Sequence, residues 1–211
     1  MQRFLDRQDE PLTRYRALRR LDAQNGRYKK EGWIEAWTTL DPEKGFRYEI
    51  VGEGGSGYVR DKVLRKALER EAEAYARAES KSAAIAPANY TFVDQGAIPE
   101  GLVGVAIAPL RKDAMLVRGR ILLTPDGADL VRIEGQLVKT PSFWTRRVDI
   151  VRRYERIDGV RVPVATESIA QILIAGRSTF RMVYEYASVN GRTVGDPRPR
   201  ATGEATPRGT R

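Results

Sequence analysis

Residues 46–80, FRYEIVGEGGSGYVRDKVLRKALEREAEAYARAES, decide the fold because the hydrophobic period changes within them. Over 46–50, apolar residues alternate with charged ones, which is the period of a half-buried strand. A glycine cluster follows at 52–57, and beyond it apolar residues recur at the spacing of one side of a helix. The stretch therefore predicts a strand that leads into one long amphipathic helix over 58–80, with Ser56 as its cap.

The chain on both sides of this stretch predicts β-strands. Upstream, residues 13–23, 28–40 and 46–50 alternate and are joined by the hairpin signal Asn25-Gly26 and by a turn at 41–45. Downstream, alternating segments are separated by short turns that join antiparallel neighbours and leave no room for crossover helices. The downstream strands are predicted at 90–93, 102–110, 115–123, 129–138, 143–154, 160–172 and 179–189.

The predicted fold is mainly β, of the α+β class. About ten antiparallel strands form one strongly curved sheet, since a sheet of that size twists and curls. The sheet is expected to form an incomplete barrel around the one long helix. The predicted boundaries are an N-terminal extension over 1–12, one domain over 13–191 and a disordered tail over 192–211, where apolar residues are scarce.

The composition excludes several classes of function. The 211 residues contain no cysteine and no histidine, which removes disulfides, thiolate or imidazole metal sites and catalysis by Cys or His. No apolar run approaches the roughly eighteen residues of a membrane-spanning helix, and residues 1–5 lack the pattern of a secretory signal. The net charge of +9 favours anionic partners. Arginine dominates the tail, however, and nucleic acid is not expected as a partner.

The cluster Gly52-Glu53-Gly54-Gly55-Ser56-Gly57 matches the glycine pattern of a dinucleotide-binding turn. Its context argues against that function. The preceding strand belongs to an antiparallel meander and alternates with charge, whereas the first strand of a dinucleotide-binding fold is a buried apolar run. No Lys followed by Ser or Thr completes a phosphate-binding loop. We interpret the glycines as a hinge between sheet and helix.

Carboxylates offer the remaining route to catalysis. Asp149, Glu155 and Asp158 are close in sequence, and Glu134 and Glu167 lie in other predicted strands. Exposed cross-strand ion pairs with nearby arginines explain their presence. These arginines are Arg146, Arg147, Arg152, Arg153 and Arg156. We predict no catalytic residues, no metal site and no cofactor, and therefore a protein that is not an enzyme.

Aromatic and aliphatic side chains at alternating strand positions predict an apolar space between the sheet and the helix. Concave apolar spaces of this kind bind hydrophobic ligands. The residues predicted to line it are Trp33, Trp37, Phe46, Tyr48, Leu64, Leu68, Tyr75, Phe180, Met182 and Tyr184. The alternative is that the same side chains simply fill the core.

Three hairpin motifs occur in an order that resembles a known family. They are LVRIEG at 130–135, YERIDGVRVP at 154–163 and YEYASVNG at 184–191. Their order, after three strands and one long helix, is similar to that of outer-membrane lipoprotein-sorting proteins, the family of the carriers LolA and LolB and the related regulator RseB. The resemblance covers residues 13–191.

The resemblance implies a half-barrel with a helical lid, whose apolar cavity receives the acyl chains of lipoproteins without a cofactor. The chain would then be a non-enzymatic lipid- or lipoprotein-binding transport protein of the periplasm, with a lipid or lipidated protein as its partner. The alternative function is an envelope interaction or regulatory module with a filled core. Such a module would bind a protein partner or anionic lipid headgroups through its basic surface.

Overall fold

The chain folds into one antiparallel sheet with few helices. The computed structural model describes residues 2–7, 9–77, 84–140 and 144–200. In chain order the elements are helix α1 (Gln2–Asp6), strands β1 (Tyr15–Asn25), β2 (Lys30–Asp41) and β3 (Gly45–Gly55), helix α2 (Gly57–Val59), a π-helical segment (Arg60–Leu64), helix α3 (Arg65–Ala76), and strands β4 (Tyr90–Ala97), β5 (Val103–Pro109), β6 (Val117–Leu123), β7 (Leu130–Leu137), β8 (Thr145–Ile157), β9 (Val160–Ile172), β10 (Gly176–Val189) and β11 (Arg192–Thr193). The prediction of a mainly β, antiparallel architecture is confirmed.

The sheet is open and joins two meanders. Its strand order is β3-β2-β1-β10-β9-β8-β7-β6-β5-β4, with β11 paired to β10 beside this path. The predicted three-strand meander β1–β3 is present, and β1 pairs antiparallel with β10 from the other end of the domain, with Leu21 opposite Met182. The first and last long strands are therefore neighbours, and all eleven strands belong to one sheet.

Helical structure follows β3 as three consecutive segments over 57–76, which we call the helical stretch. The prediction of one long helix over 58–80 is not confirmed, because the structure has two α-helical segments around a π-helical one. Residues 78–80 lie outside the described part of the chain. Ser56 stands before the first segment with extended backbone, but its side chain makes no capping hydrogen bond. Arg60 and Arg65 both bind Glu53 of β3, which ties the start of the stretch to the sheet.

Apolar side chains form two core clusters. The first lies among β1–β3, β9, β10 and the helical stretch, where Ile34, Leu64 and Leu68 are fully buried. The second lies among β5–β8 and includes Phe4 of α1 and Tyr90 of β4. We call the side of the sheet that the helical stretch covers the inner face and the opposite side the outer face.

Both terminal regions contact the sheet where they are described. Helix α1 lies within the predicted extension 1–12 and buries Phe4. Within the predicted tail, Arg192–Thr193 form β11, and the backbone N–H of Arg200 donates a hydrogen bond of 3.0 Å to Glu35 of β2. Residues 201–211 lie outside the described residues.

Strands β6 and β7 come unusually close at one pair of glycines. Gly119 and Gly135 stand directly opposite each other in the ladder. A Cβ added at Gly119 would overlap the carbonyl oxygen of Glu134 and lie 2.5 Å from the Cα of Gly135. Since atoms at such separations repel strongly, only glycine permits this approach of the two backbones.

We expect the Gly119→Ala substitution to lower the free energy of unfolding by about 1–3 kcal/mol, because the added methyl group must push β7 away. Chemical denaturation would measure the change. The matched control is Gly26→Ala in the first hairpin, where the nearest atom to an added Cβ would be the carbonyl oxygen of Arg177 at 3.7 Å. Equal effects of the two substitutions would contradict the close approach at Gly119.

Candidate functional site

Eight of the ten residues predicted to line an apolar space pack together in the core cluster between the inner face and the helical stretch. They are Phe46, Tyr48, Leu64, Leu68, Tyr75, Phe180, Met182 and Tyr184. Leu64 and Leu68 are fully buried, and the Phe46 ring stacks on the Tyr75 ring with 5.6 Å between centroids. These side chains therefore form a packed core.

Trp33 and Trp37 lie on the outer face, which corrects the prediction that they line the space under the helix. Ile34 packs in the core with the helical stretch, and since side chains alternate along β2, the tryptophans point the other way. There the guanidinium carbon of Arg20 lies 4.8 Å from the Trp33 ring centroid, and that of Arg16 lies 4.5 Å from the Trp37 ring centroid. Alternation groups residues by face, but it does not say which face is buried.

The glycine cluster makes room for Trp33. Strand β3 continues through the cluster to Gly55, and a Cβ added at Gly54 would lie 2.5 Å from the indole nitrogen of Trp33. Gly55 has a positive φ of 77°, which turns the chain from strand into the helical stretch. Because β3 is antiparallel to its neighbour β2, this context differs from that of a dinucleotide-binding turn.

A buried arginine connects the inner face to the helical stretch. Arg19 of β1 is 1% exposed and donates to both carboxylate oxygens of Glu71 on α3, at 2.6 and 3.0 Å. It also contacts the Tyr15 hydroxyl, and its guanidinium carbon lies 4.4 Å from the ring centroid of Tyr184. Burial alone would lower the pKa of Arg19, but Tyr184, Glu71 and Tyr15 hold it well above its usual value. The charged pair therefore persists inside the core.

A cavity of about 320 Å³ lies on the second core cluster. Its lining is mostly apolar and comes from strands β4 and β6–β9 and from the residues just before β4 and β6. The lining residues are Ala84, Ile85, Tyr90, Met115, Val117, Leu130, Ile133, Ile150, Arg152, Tyr154 and Arg161. The ten residues predicted from the sequence are not among them, so the candidate binding site lies in a different part of the sheet from the predicted one.

Arg152 brings positive charge to this apolar cavity. It lies two residues after Ile150 on β8 and hydrogen-bonds Tyr154, whose hydroxyl is the main cause of a raised Arg152 pKa that outweighs the effect of burial. Glu71 also contributes to that shift, but this carboxylate is already bound by Arg19. Glu71 therefore pairs with Arg19 and acts on Arg152 only through its charge.

Arg161 of β9 shares its carboxylate with two other arginines. It contacts Asp9, which binds Arg156 at 2.8 Å and Arg7 at 3.4 Å. Asp129 also pairs with Arg156 and Arg7, so three arginines face two carboxylates. Its guanidinium carbon lies 4.8 Å from the Phe4 ring centroid, and its buried Nε has no hydrogen-bond partner among the described residues. Burial and the charge of Arg7 lower the pKa of Arg161. The cavity wall therefore carries more positive charge than the adjacent carboxylates neutralise, which would stabilise an entering anion.

The sequence prediction placed Arg152 with its neighbours in exposed ion pairs. That description holds for Arg153, which binds Glu167 at 2.9 Å. The missed signal is again alternation: Arg152 shares the face of Ile150 and Tyr154, whereas Arg153 points to the other side. An arginine between two apolar or aromatic residues of one strand face indicates a cation directed toward the core.

No protein-family model, no curated protein and no solved structure matches this chain. Among residues 2–7, 9–77, 84–140 and 144–200, no helix has the length and apolar content to cross a membrane. The same residues contain no group of three or more carboxylates that could hold a metal ion. The functional argument therefore depends on the geometry of the cavity and of the surface.

We expect the Glu71→Gln substitution to lower the free energy of unfolding by about 3–5 kcal/mol, because it leaves Arg19 charged and uncompensated in the core. The matched control is Glu69→Gln on the same helix, whose partner Lys66 is exposed; its denaturation midpoint should not change. The double variant Arg19→Met/Glu71→Gln should recover part of the loss, since it removes both charges. A Glu71→Gln protein as stable as the Glu69→Gln control would refute this role.

We also expect stability to fall at alkaline pH. Burial raises the pKa of Tyr75 to about 12 and raises the pKa values of Tyr15, Tyr184 and Tyr186 above the usual 10.0. The folded state thus favours the protonated phenols, and this contribution is complete below pH 10 and lost as the pH rises through the folded-state values. The free energy of unfolding should decrease above pH 10, and Tyr75→Phe should reduce the slope. A single transition of all nine tyrosines with its midpoint near pH 10 in the folded protein, followed by tyrosinate absorbance, would contradict the prediction.

Proposed function

We propose that this chain is a non-enzymatic binding protein that holds the apolar part of an anionic amphiphile in the cavity on the second core cluster. The single observation that carries the proposal is the combination of an apolar lining with two arginines, Arg152 and Arg161. An acyl chain would contact the apolar walls, and a carboxylate or phosphate attached to it would pair with the guanidinium groups.

The size of the cavity favours a ligand with a single acyl chain. Small-molecule sites have volumes of roughly 300–1,000 Å³, and this cavity, at about 320 Å³, lies at the lower end. A ligand with several acyl chains would need more space than this cavity offers.

The resemblance of the hairpin motifs to lipoprotein-sorting proteins supports the same class of ligand. The open antiparallel sheet with a helical stretch on one face is consistent with a curved, incomplete barrel of that kind. On this basis we propose a lipid or lipidated protein as the partner and the periplasm as the location. The lipoprotein-sorting role itself depends on the resemblance alone.

One observation favours the alternative, an envelope interaction or regulatory module. The eight predicted residues under the helical stretch are packed against one another, which is what a filled core requires. In this alternative the cavity is a packing defect, and the partner is a protein bound at the basic surface.

Binding of a fluorescent fatty acid to delipidated protein tests the proposed function. We expect Arg152→Gln to weaken binding by about tenfold or more, because a hydrogen bond to a charged group contributes about 1.5–3 kcal/mol. The matched control is Arg153→Gln, the next residue on the strand, which binds Glu167 away from the cavity and should bind the probe like the unmodified protein. The uncharged alcohol analogue of the probe should not distinguish Arg152→Gln from the unmodified protein.

A second substitution tests the cavity itself. Ile133→Phe extends into the space that the ligand would occupy, and we expect it to abolish binding of both probes while the protein remains folded by circular dichroism. Absence of probe binding to the delipidated unmodified protein would refute the cavity as a ligand site and leave the interaction module. Binding of the probes by the Ile133→Phe variant as tight as by the unmodified protein would also refute the cavity as a ligand site.

A further inference from the structure

The strand order places the chain connections at two opposite ends of the sheet. Because consecutive strands are antiparallel, every second connection lies at the same end. One end holds residues 26–30, 57–63, 110–116, 138–140 with 144, and 172–177. We call this set the rim. The connections at the other end are the tight turns at 41–45, 98–102, 124–129, 158–159 and 190–191.

Exposed apolar side chains are concentrated on the rim. Eleven large hydrophobic residues are exposed among the described residues, and eight of them belong to these rim segments. They are Tyr28, Tyr58, Val63, Leu110, Met115, Trp144, Leu173 and Ile174, with exposed fractions of 38–65%. Within the described residues, none of the eleven lies in the turns of the opposite end. Clusters of this kind mark interaction surfaces rather than random exposure.

The charge of the rim is strongly positive. Its segments contain nine basic residues and two acidic ones, whereas the five turns of the opposite end contain one basic residue and six acidic ones. The rim lysines are all exposed; they are Lys29, Lys30, Lys62, Lys112 and Lys139. The rim therefore combines apolar side chains with cations, and the opposite end does not.

We propose that the rim docks on the surface of a bilayer that carries anionic headgroups. Aromatic and aliphatic residues such as Trp144 and Ile174 would enter the boundary between headgroups and acyl chains, while the surrounding lysines would pair with lipid phosphates. A neutral bilayer would offer the apolar contacts without the electrostatic attraction. The contacts come from several loops at once, so no single insertion has to supply the whole affinity.

The rim also adjoins the cavity. Met115 is 43% exposed on the rim and lines the cavity. Docking would place the edge of the cavity that Met115 forms at the membrane surface, which would supply amphiphilic ligands; this second step rests on the proposed function. Docking itself does not, because the rim residues contact the bilayer whether or not the cavity holds a ligand.

Co-sedimentation of the full chain with vesicles tests the docking. We expect binding to vesicles of phosphatidylcholine mixed with phosphatidylglycerol, weaker binding to phosphatidylcholine alone, and loss of binding as salt is raised. The charge-reversal variant Lys29→Glu/Lys112→Glu/Lys139→Glu should bind the anionic vesicles about 100-fold more weakly or worse. The control is Lys44→Glu/Arg47→Glu/Arg181→Glu, which makes the same change in net charge away from the rim. It should lose much less affinity for the anionic vesicles.

Apolar insertion is tested separately through the emission of Trp144. Addition of anionic vesicles should shift the emission to shorter wavelength in a Trp33→Phe/Trp37→Phe protein, which keeps Trp144 as its only tryptophan, and brominated lipid should quench it. Absence of vesicle binding, equal losses in the two charge variants, or an unshifted Trp144 would overturn the proposal. The Ile133→Phe variant should still bind vesicles, so failure of the cavity and failure of the rim give different results.

Discussion

The pairing of β1 with β10 makes one sheet from two meanders, and the rest of the structure depends on it. The pairing brings together residues such as Arg19 and Met182, which are 163 positions apart in the chain. Closing so long a loop has an entropic cost, which is offset only by the contacts that the pairing makes possible. Those contacts lie on the inner face, where both strands direct apolar residues under the helical stretch. Without this pairing, the helical stretch would have only β1–β3 to cover, and Tyr184 would not reach Arg19.

The Arg19–Glu71 pair fixes the position of the helical stretch on that sheet. An apolar contact tolerates sliding, whereas a bidentate ion pair in a core has one good geometry. Glu71 also acts electrostatically on Arg152 in the cavity wall, so the carboxylate that holds the helical stretch also affects the charge at the proposed ligand site.

Alternation predicted most of the fold, because a strand that is half buried must repeat every two residues. The downstream strands were predicted near their observed positions, including 160–172, which matches β9. Alternation could not tell which face of β2 is covered, and Trp33 and Trp37 were therefore placed on the wrong one. The cavity was missed for a related reason: alternation places Arg152 on the face of Ile150 and Tyr154, but it does not say that this face borders a cavity in a second core.

A cavity that shares Met115 with an apolar and basic rim suits a ligand that is poorly soluble in water. An acyl chain that leaves a bilayer through water exposes its whole apolar surface, and this exposure costs a free energy of about 25 cal/mol for each Å². Met115 belongs to both the rim and the cavity wall. An acyl chain that enters beside it would therefore pass from the apolar bilayer into the apolar cavity. The barrier to transfer would then lie in the protein rather than in the solvent. The apolar lining of the cavity and the charge of Arg152 would be the features that control it.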